Sequence, residues 1–246
     1  MKPLLSLLVA VQFLTRIPVP LAFVTDKRTV GRSLLYYPFV GVMLGLVLAG
    51  LNIALTDTPA ILRAALVLAA WVLLTGALHL DGLADSADAW IGGLGNRKRT
   101  LAIMKDPYCG PAAVVALVVV LLIKFSALHS LDSSNWLALV LVPMLARASI
   151  PLLFLTTPYV RAGGLGSALA SELSRVGVVV VLAVTAGVTA LTGTMGFWLL
   201  FVLAGTFILL RALMMLRIGG TTGDTAGALI ETSETALLIV AVLAPR

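Results

Sequence analysis

The segment PAAVVALVVVLLIKFSALHSL (residues 111–131) decides the fold class, because Lys124 is its only Lys, Arg, Asp or Glu. A helix of roughly 20 apolar residues spans the hydrocarbon core of a bilayer. The whole chain has this character: of 246 residues, 60% are hydrophobic and 11% are charged, and mean hydropathy is +1.10. Soluble domains carry about a quarter charged residues. The composition therefore excludes an ordinary soluble protein, a disordered chain and a nucleic-acid binder.

Continuous apolar segments of spanning length recur along the chain, and their continuity excludes transmembrane strands, which alternate. Segment 4–14 is too short to span and is predicted to be an N-terminal interfacial or re-entrant helix. We therefore predict an all-α, polytopic transmembrane helical bundle of about seven spans, with residues 1–246 forming a single integral membrane domain. The predicted spans are 33–55, 61–80, 111–131, 136–156, 176–192, 196–216 and 226–244.

Lys and Arg residues alternate between the connections. Loops 15–32, 81–110, 157–175 and 217–225 are basic, whereas 56–60, 132–135 and 193–195 contain no Lys or Arg. Cytoplasmic loops of membrane proteins carry this excess of positive charge. We therefore expect the four basic loops to face the cytoplasm, and the net charge of +6 to reflect topology rather than nucleic-acid binding.

Gly41 and Gly45 form a GxxxG pair in the first long span. This spacing lets two helices approach closely. We interpret it as a contact within one bundle rather than as a dimer motif, and a homo-oligomer is left open.

Seven of the eleven acidic residues lie in or beside the basic loops. In HLDGLADSADA (79–89), Asp81, Asp85 and Asp88 project within an arc of about 60° if the segment is helical. Three neighbouring carboxylates repel one another, and hard oxygen ligands suit Mg²⁺ or Mn²⁺ rather than zinc. We predict a Mg²⁺ site; the alternative is a solvated acidic helix end. The seven are Asp81, Asp85, Asp88, Asp106, Asp224, Glu231 and Glu234.

Two further loops have features of phosphate sites. In KDPYCG (105–110), Lys105 and Asp106 begin a turn that is shaped by proline and glycine. Lys105 either contacts a phosphate or is one of the positive charges that anchor a cytoplasmic loop. In GGTTGDTAG (219–227), the backbone of Gly220, Thr221 and Gly223 is expected to present N–H groups to a phosphate. Asp224 either completes this pocket or caps the last helix.

Ionisable residues inside spans are costly and mark functional positions. Glu231 and Glu234 lie inside the last helix, are expected to face a cavity, and are predicted together with Asp224 to belong to the metal site. Arg147 is expected to face the bundle interior and pair with an acid or an anionic ligand, whereas Lys124 is expected to snorkel towards the membrane surface. His79 is either a packed or a functional histidine. Clustered carboxylates, a Gly/Thr loop and interior cations together predict Mg²⁺-assisted phosphoryl transfer.

Four strings carry a resemblance to a known family: FLTRIPVP (13–20), HLDGLADSADA (79–89), IMKDPYCG (103–110) and GGTTGDTAGA (219–228), the last followed by Glu231 and Glu234. Together they resemble the cobalamin synthase family, and they extend over essentially the whole chain. The resemblance implies an adenosylcobinamide-GDP ribazoletransferase, integral to the bacterial inner membrane and dependent on Mg²⁺. Such an enzyme joins adenosylcobinamide-GDP to α-ribazole or α-ribazole 5′-phosphate and releases GMP.

With that activity, specific roles follow for the catalytic domain 1–246. Asp81 and Asp85 are expected to hold Mg²⁺ on the pyrophosphate, while Asp88 completes the metal site or removes the proton of the attacking hydroxyl. Lys105 and Arg147 are expected to offset phosphate charge, with the active site facing the cytoplasm and membrane lipid around the bundle. A phospholipid phosphotransferase using a CDP-alcohol and an ion-coupled transporter are the alternatives.

Overall fold

The computed structural model describes residues 2–19, 26–131, 135–161 and 165–244. Within these residues the regular structure is helical, apart from one isolated parallel bridge between Tyr159 and Thr221, and the predicted all-α bundle is confirmed. Pro20 of the FLTRIPVP string and part of loop 132–135 lie outside the described residues. The helices are α1 Lys2–Leu14, α2 Lys27–Ser33, α3 Tyr37–Ala54, α4 Ala60–Thr75, α5 Leu78–Gly92, α6 Arg97–Ile103, α7 Pro111–Ser130, α8 Trp136–Thr156, α9 Leu165–Ser171, α10 Arg175–Ala190, α11 Thr194–Ile218 and α12 Gly223–Leu243.

Five described helical segments are long and apolar enough to cross a membrane: Lys27–Ala54, α7, α8, α11 and α12. Helix α10 has only 16 residues, or about 24 Å, which is shorter than the roughly 30 Å hydrocarbon core. The described chain therefore has slightly fewer helices of full spanning length than the seven predicted spans. By length the described chain has five, or six if the bent pair α4–α5 is one broken span.

The second predicted span, 61–80, is not continuous. Helix α4 ends at Thr75, and α5 leaves it at an angle of 86°. Gly76 and Ala77 both have left-handed backbone conformations, with φ of 61° and 56°, which ends one helix and starts another. Asp81 therefore lies in the first turn of a separate helix, α5, instead of extending the span.

Helix α8 forms the centre of the bundle, and α3 packs directly on it. A Cβ added to Gly41 would lie 2.5 Å from the carbonyl oxygen of Pro143, and one added to Gly45 would lie 2.5 Å from the Cα of Val140. Neither position has room for a side chain, so the GxxxG pair mediates a contact inside the bundle, as predicted.

Burial differs sharply between the centre and the rim. In the most apolar stretch of α8, 89% of residues are buried, compared with 22% in α7 and 17% in α11. The exposed positions of α7 and α11 are largely apolar, including Val115, Leu122, Phe201 and Leu209. Exposed apolar residues of this kind are expected on helices whose outer faces contact lipid hydrocarbon instead of water.

The basic loops meet at one end of the bundle. Val160 donates its backbone N–H to Thr221 and Thr221 donates its own to Pro158, which joins the segment after α8 to the segment before α12. The short helix α1 reaches the same end, where the backbone N–H of Arg16 donates to Leu74. This end of the bundle carries α5, α6 and the start of α12.

Candidate active site

The crossing of α5 and α12 brings the acidic residues of two distant segments together. A Cβ on Gly82 would lie 2.6 Å from the carbonyl oxygen of Asp224, and one on Gly227 would lie 3.2 Å from that of His79. The two backbones approach this closely only because glycine occupies both crossing points. As a result, Asp224 lies beside the face of α5 that carries Asp81 and Asp85.

A cavity of about 670 Å³ opens at this crossing. Its size is in the range of small-molecule sites, about 300–1,000 Å³. Its wall combines carboxylates from α5 and α12 with the turn that follows α6 and with apolar residues of α7. The charged residues lining it are Asp81, Asp85, Lys105, Asp106, Arg161 and Asp224.

Among the carboxylates of this cavity, only Asp224 is paired with a cation in the described residues. Asp224 pairs with Arg161, whose Nη1 lies 3.0 Å from Oδ2, but Asp81 and Asp85 have no ion pair or hydrogen bond among the residues described. In α5, which is not itself one of the five spanning segments, burial raises the pKa of Asp85 to about 6, and the charges of Asp81 and Asp224 add to the rise. Ionised carboxylates held this way favour a cation between them.

The donor set suits a hard divalent ion. In the described chain, no group of three or more His, Cys, Asp or Glu side chains is arranged to hold a metal by itself. Mg²⁺ does not require such a cage, because it commonly binds through one or two carboxylates together with substrate phosphates and water. Asp81 and Asp85 supply oxygen donors of that kind at the wall of the cavity.

Asp88 has a different environment from the other two aspartates of its helix face. It does not line the cavity; its Oδ2 accepts the N–H of Gly110 at 2.5 Å and its Oδ1 accepts that of Ala113 at 3.0 Å. These are orphan amides at the start of α7, where a negative charge is favourable. A Cβ on Gly110 would lie 2.7 Å from Asp88 Oδ1, so a larger residue there would displace the Asp88 carboxylate. Asp88 thus fixes the turn that precedes α7.

That turn carries Lys105 and Asp106 to the cavity wall, and both side chains are exposed. Asp106 Oδ1 accepts the N–H of Tyr108 at 3.1 Å, which is an Asx-type turn that shapes the loop. Lys105 has no carboxylate within 4.0 Å in the described part of the chain. Its ammonium group is therefore free to meet an anion at the cavity.

The structure contradicts the predicted phosphate contact for the Thr221 amide of the Gly/Thr loop, whereas Gly223 is exposed and lines a smaller cavity next to the large one. The amides of Gly219 and Thr221 donate to Met215 and Pro158. Thr222, not Asp224, caps α12 in a capping box with Thr225. Gly220 and Thr221 are buried, and neither is among the residues lining the cavity.

Glu231, Glu234 and Arg147 do not line the cavity. The structure therefore separates Glu231 and Glu234 from the predicted metal site, and Arg147 from the predicted phosphate contact. They form an interior ion cluster with Lys124, in which Lys124 Nζ lies 2.5 Å from Glu231 Oε2 and 2.5 Å from Glu234 Oε2, and Arg147 pairs with Glu234. All four side chains are at most 4% exposed. The prediction that Arg147 pairs with an acid is confirmed. The prediction that Lys124 snorkels is wrong, because its ammonium turns inwards to these acids and lies 5.0 Å from the ring centroid of Trp71.

Comparison with known proteins places these elements in one family. A family model described as Cobalamin-5-phosphate synthase matches residues 6–242. Curated relatives named "Adenosylcobinamide-GDP ribazoletransferase" are 56% identical in Pseudomonas paraeruginosa (strain PA7) and 55% identical in Pseudomonas aeruginosa (strain PAO1). Both alignments cover 98% of this chain and 99% of the relative.

The chain belongs to the cobalamin-5-phosphate synthase family. It is accordingly an enzyme, a transferase. The range that the family model matches contains the whole cavity and the interior ion cluster. No solved structure matches this chain.

Sequence reasoning missed one residue of this synthase-family cavity, Arg161. It appeared only as one of the charges of a basic loop, because 63 positions separate it from Asp224. The backbone pairing between residues 158–160 and Thr221 brings the two together. No spacing rule connects positions so far apart, so the sequence carried no local signal for this pair.

His79 occupies a buried position in this family member, since its residue exposure is 4%. Its Nδ1 has no hydrogen-bond partner in the structure as described. It does not line the large cavity but borders a smaller one next to it. Buried polar atoms are nearly always paired in folded proteins, so this atom calls for a specific explanation.

Proposed function

We propose that this enzyme joins adenosylcobinamide-GDP to α-ribazole or α-ribazole 5′-phosphate, giving adenosylcobalamin or its 5′-phosphate and GMP. The name of the close relatives supports the substrates. The observation that carries the chemistry is the cavity with two unpaired carboxylates, Asp81 and Asp85, facing two cations, Lys105 and Arg161. Such an arrangement suits a pyrophosphate held together with a divalent ion.

The bond changes follow from the products. Because GMP leaves, the electrophile is the phosphorus attached to the cobinamide. A ribose hydroxyl oxygen of the acceptor forms a bond to that phosphorus, and the bond to the oxygen bridging to GMP breaks. The hydroxyl proton passes to a carboxylate of the cavity, Asp81, Asp85 or Asp224, and from there to solvent.

We propose that Asp81 and Asp85 hold Mg²⁺, with Asp224 completing the acidic wall from α12. When bound, the ion would offset negative charge on the pyrophosphate and on the departing phosphate. Lys105 and Arg161 contact phosphate oxygens and orient the donor. Asp88, with both oxygens on the N-terminus of α7, acts as a positioning residue for the turn that carries Lys105.

Conservative removal of one carboxylate tests the proposal. Purified Asp81→Asn and Asp85→Asn, assayed for GMP release with Mg²⁺ and both substrates, are expected to lose about 100-fold or more in turnover, since a metal supplies several kcal/mol to the transition state. Asp57→Asn is the matched control, because Asp57 is exposed in the connection between α3 and α4, at the other end of α4. Near wild-type turnover of both Asp81→Asn and Asp85→Asn would contradict their assignment as Mg²⁺ ligands.

We also propose that the cavity faces the cytoplasm from the bacterial inner membrane, with lipid covering the apolar rim of α7 and α11. The alternation of basic and non-basic loops supports this orientation. The single cysteine, Cys109, is exposed on the cavity wall and serves as a reporter. A membrane-impermeant maleimide should label it in inverted vesicles but not in intact spheroplasts.

Cys109→Ala/Thr56→Cys provides the control for that labelling. Thr56 is exposed in the connection at the other end of α4, so the introduced thiol should show the opposite pattern. Labelling of Cys109 from the outside would reverse the proposed orientation without affecting the proposed reaction.

A further inference from the structure

A second, smaller cavity of about 230 Å³ borders the same carboxylates. Asp81 and Asp224 line both cavities. On α5 the larger cavity reaches Ala84 and Asp85, whereas the smaller one reaches His79 and Gly82. His79 lies about 120° around the helix from Asp85. The carboxylates therefore stand between two separate spaces.

Two spaces are what the proposed reaction requires. In phosphoryl transfer the attacking and leaving oxygens lie roughly in line, on opposite sides of the phosphorus. The donor and the acceptor must then approach the reacting phosphate from two directions and be held there together. A site with one opening would force the two substrates to share it.

The walls of the two cavities differ in chemistry. The larger has Lys105 and Arg161 beside its carboxylates, which suits the charged pyrophosphate of the donor. The smaller is lined mainly by apolar and aromatic side chains, among them Phe13, Phe154 and Leu169. Such a wall suits an uncharged aromatic ring system.

The size of the smaller cavity further limits the ligands that it can hold. Sites for whole drug-sized ligands measure about 300–1,000 Å³, so 230 Å³ suits a ring system rather than a complete nucleoside. The base of α-ribazole, 5,6-dimethylbenzimidazole, is an uncharged two-ring system. A sugar attached to a base seated there would extend towards Asp81 and Asp224, where the reaction takes place.

His79 is a polar residue of this wall in addition to Tyr37 and the two carboxylates. It borders the smaller cavity, and its buried Nδ1 has no partner in the described residues. The base of α-ribazole has one ring nitrogen without a hydrogen, which accepts a single hydrogen bond. Away from Tyr37 and the two carboxylates, the wall is apolar apart from this one unsatisfied atom, which matches the one acceptor on an otherwise apolar ring system.

We propose that this smaller cavity binds the 5,6-dimethylbenzimidazole base of the acceptor, with a hydrogen bond between His79 and the free ring nitrogen. This assignment rests on the proposed function, because it divides that reaction's two substrates between the two cavities. It makes the cavity the determinant of which base is accepted. A purine base, with additional polar groups that the apolar wall leaves unpaired, is selected against.

The first test uses the unmodified enzyme and the free base. Added 5,6-dimethylbenzimidazole should inhibit competitively against α-ribazole 5′-phosphate and not against adenosylcobinamide-GDP. It should also bind the purified enzyme without donor, measured by isothermal titration. Competition against the donor, or no binding at concentrations that saturate the acceptor site, would overturn the assignment.

A matched pair of leucines makes the test specific to each cavity. Leu169→Trp narrows the smaller cavity and should raise the acceptor KM about tenfold or more with the donor KM unchanged. Leu117→Trp narrows the larger cavity and should do the reverse. His79→Phe should weaken inhibition by the free base while leaving the donor KM unchanged. An unaltered acceptor KM in folded Leu169→Trp would contradict the proposal.

The outcomes separate this inference from the function on which it rests. If the enzyme releases GMP but the free base neither binds nor competes, the cavity assignment fails and the reaction stands. If the free base binds to the wild type and not to Leu169→Trp, yet no GMP is formed from the two substrates, the cavity assignment stands and the reaction fails.

Discussion

Two groups of acidic residues lie in the same bundle under opposite electrostatic conditions. In the interior, Glu231 and Glu234 meet Lys124 and Arg147, so two negative charges balance two positive ones. At the cavity, Asp81 and Asp85 meet no cation within ion-pair distance in the part of the chain that is described. The charge balance, rather than the presence of acids in an apolar chain, distinguishes a stabilising cluster from a site prepared for an external cation.

Breaking the interior cluster should give the largest effect on stability. Lys124→Met leaves two buried carboxylates with one cation, and loss of one partner from a buried ion pair costs about 3–5 kcal/mol. We expect a marked fall in the unfolding temperature of the detergent-solubilised protein. The double variant Lys124→Met/Glu231→Met keeps Arg147 with Glu234 and should recover most of the loss. Equal stability of the single and double variants would contradict the idea of charge balance.

Widening the helix crossing at the cavity should have the next largest effect. Gly82→Ala places a Cβ 2.6 Å from the backbone of Asp224, and over-packing of this kind costs about 1–3 kcal/mol. Because the clash displaces α5 from α12, turnover should fall together with stability. Gly50→Ala is the control, since a Cβ there has no atom within 4 Å. Unchanged turnover in Gly82→Ala would show that the crossing does not set the cavity geometry.

Asp88 offers a smaller effect with a distinct signature. Asp88→Ala removes the acceptor for two amides at the start of α7, and loss of a helix cap costs about 1 kcal/mol. The donor KM should rise, because the turn bearing Lys105 loosens, while the response to Mg²⁺ concentration should remain close to wild type. A large shift in the Mg²⁺ requirement would instead identify Asp88 as a metal ligand.

The smallest predicted effect is an increase in stability, whereas the preceding variants are expected to lose stability. The raised pKa of Asp85, about 6, means that the folded state holds its proton more tightly than the unfolded chain. The stability this gives is complete below the ordinary pKa near 4 and is lost as pH rises through 6. Without divalent ions at pH 7, Asp85→Asn should therefore raise the unfolding temperature by about 1–2 °C. A fall in the unfolding temperature would mean that a cation of the protein already neutralises Asp85.

Composition and hydropathy predicted the helical bundle because a membrane span needs little more than an uninterrupted apolar segment. They did not predict the bend between α4 and α5. Its decisive residue, Ala77, has φ of 56°, and alanine normally favours continuing a helix. Gly76, with φ of 61°, is a local signal for the end of α4, but the residue type of Ala77 gives no signal for the second left-handed position.

Helical spacing predicted that Asp81 and Asp85 share a face, and in the structure both line one cavity. Helical spacing could not distinguish them from Glu231 and Glu234, whose neighbours lie on other helices. Lys124 is 107 positions from Glu231, so only the folded bundle reveals their pairing. The position of an ionisable residue along the sequence does not identify its partner, and the partner decides whether the residue belongs to an internal ion pair or to a cavity.

The contact between Asp88 and Gly110 also holds together the two ends of one chain segment. It closes residues 89–109 into a loop whose two ends are fixed to each other. The entropy of closing a loop grows only slowly with its length, so this segment can gain residues without moving its ends. Gly95 has φ of 79° and open space around it, so additional residues at this position should disturb their neighbours least. An insertion at Gly95 should therefore leave the contact between Asp88 and the start of α7 in place.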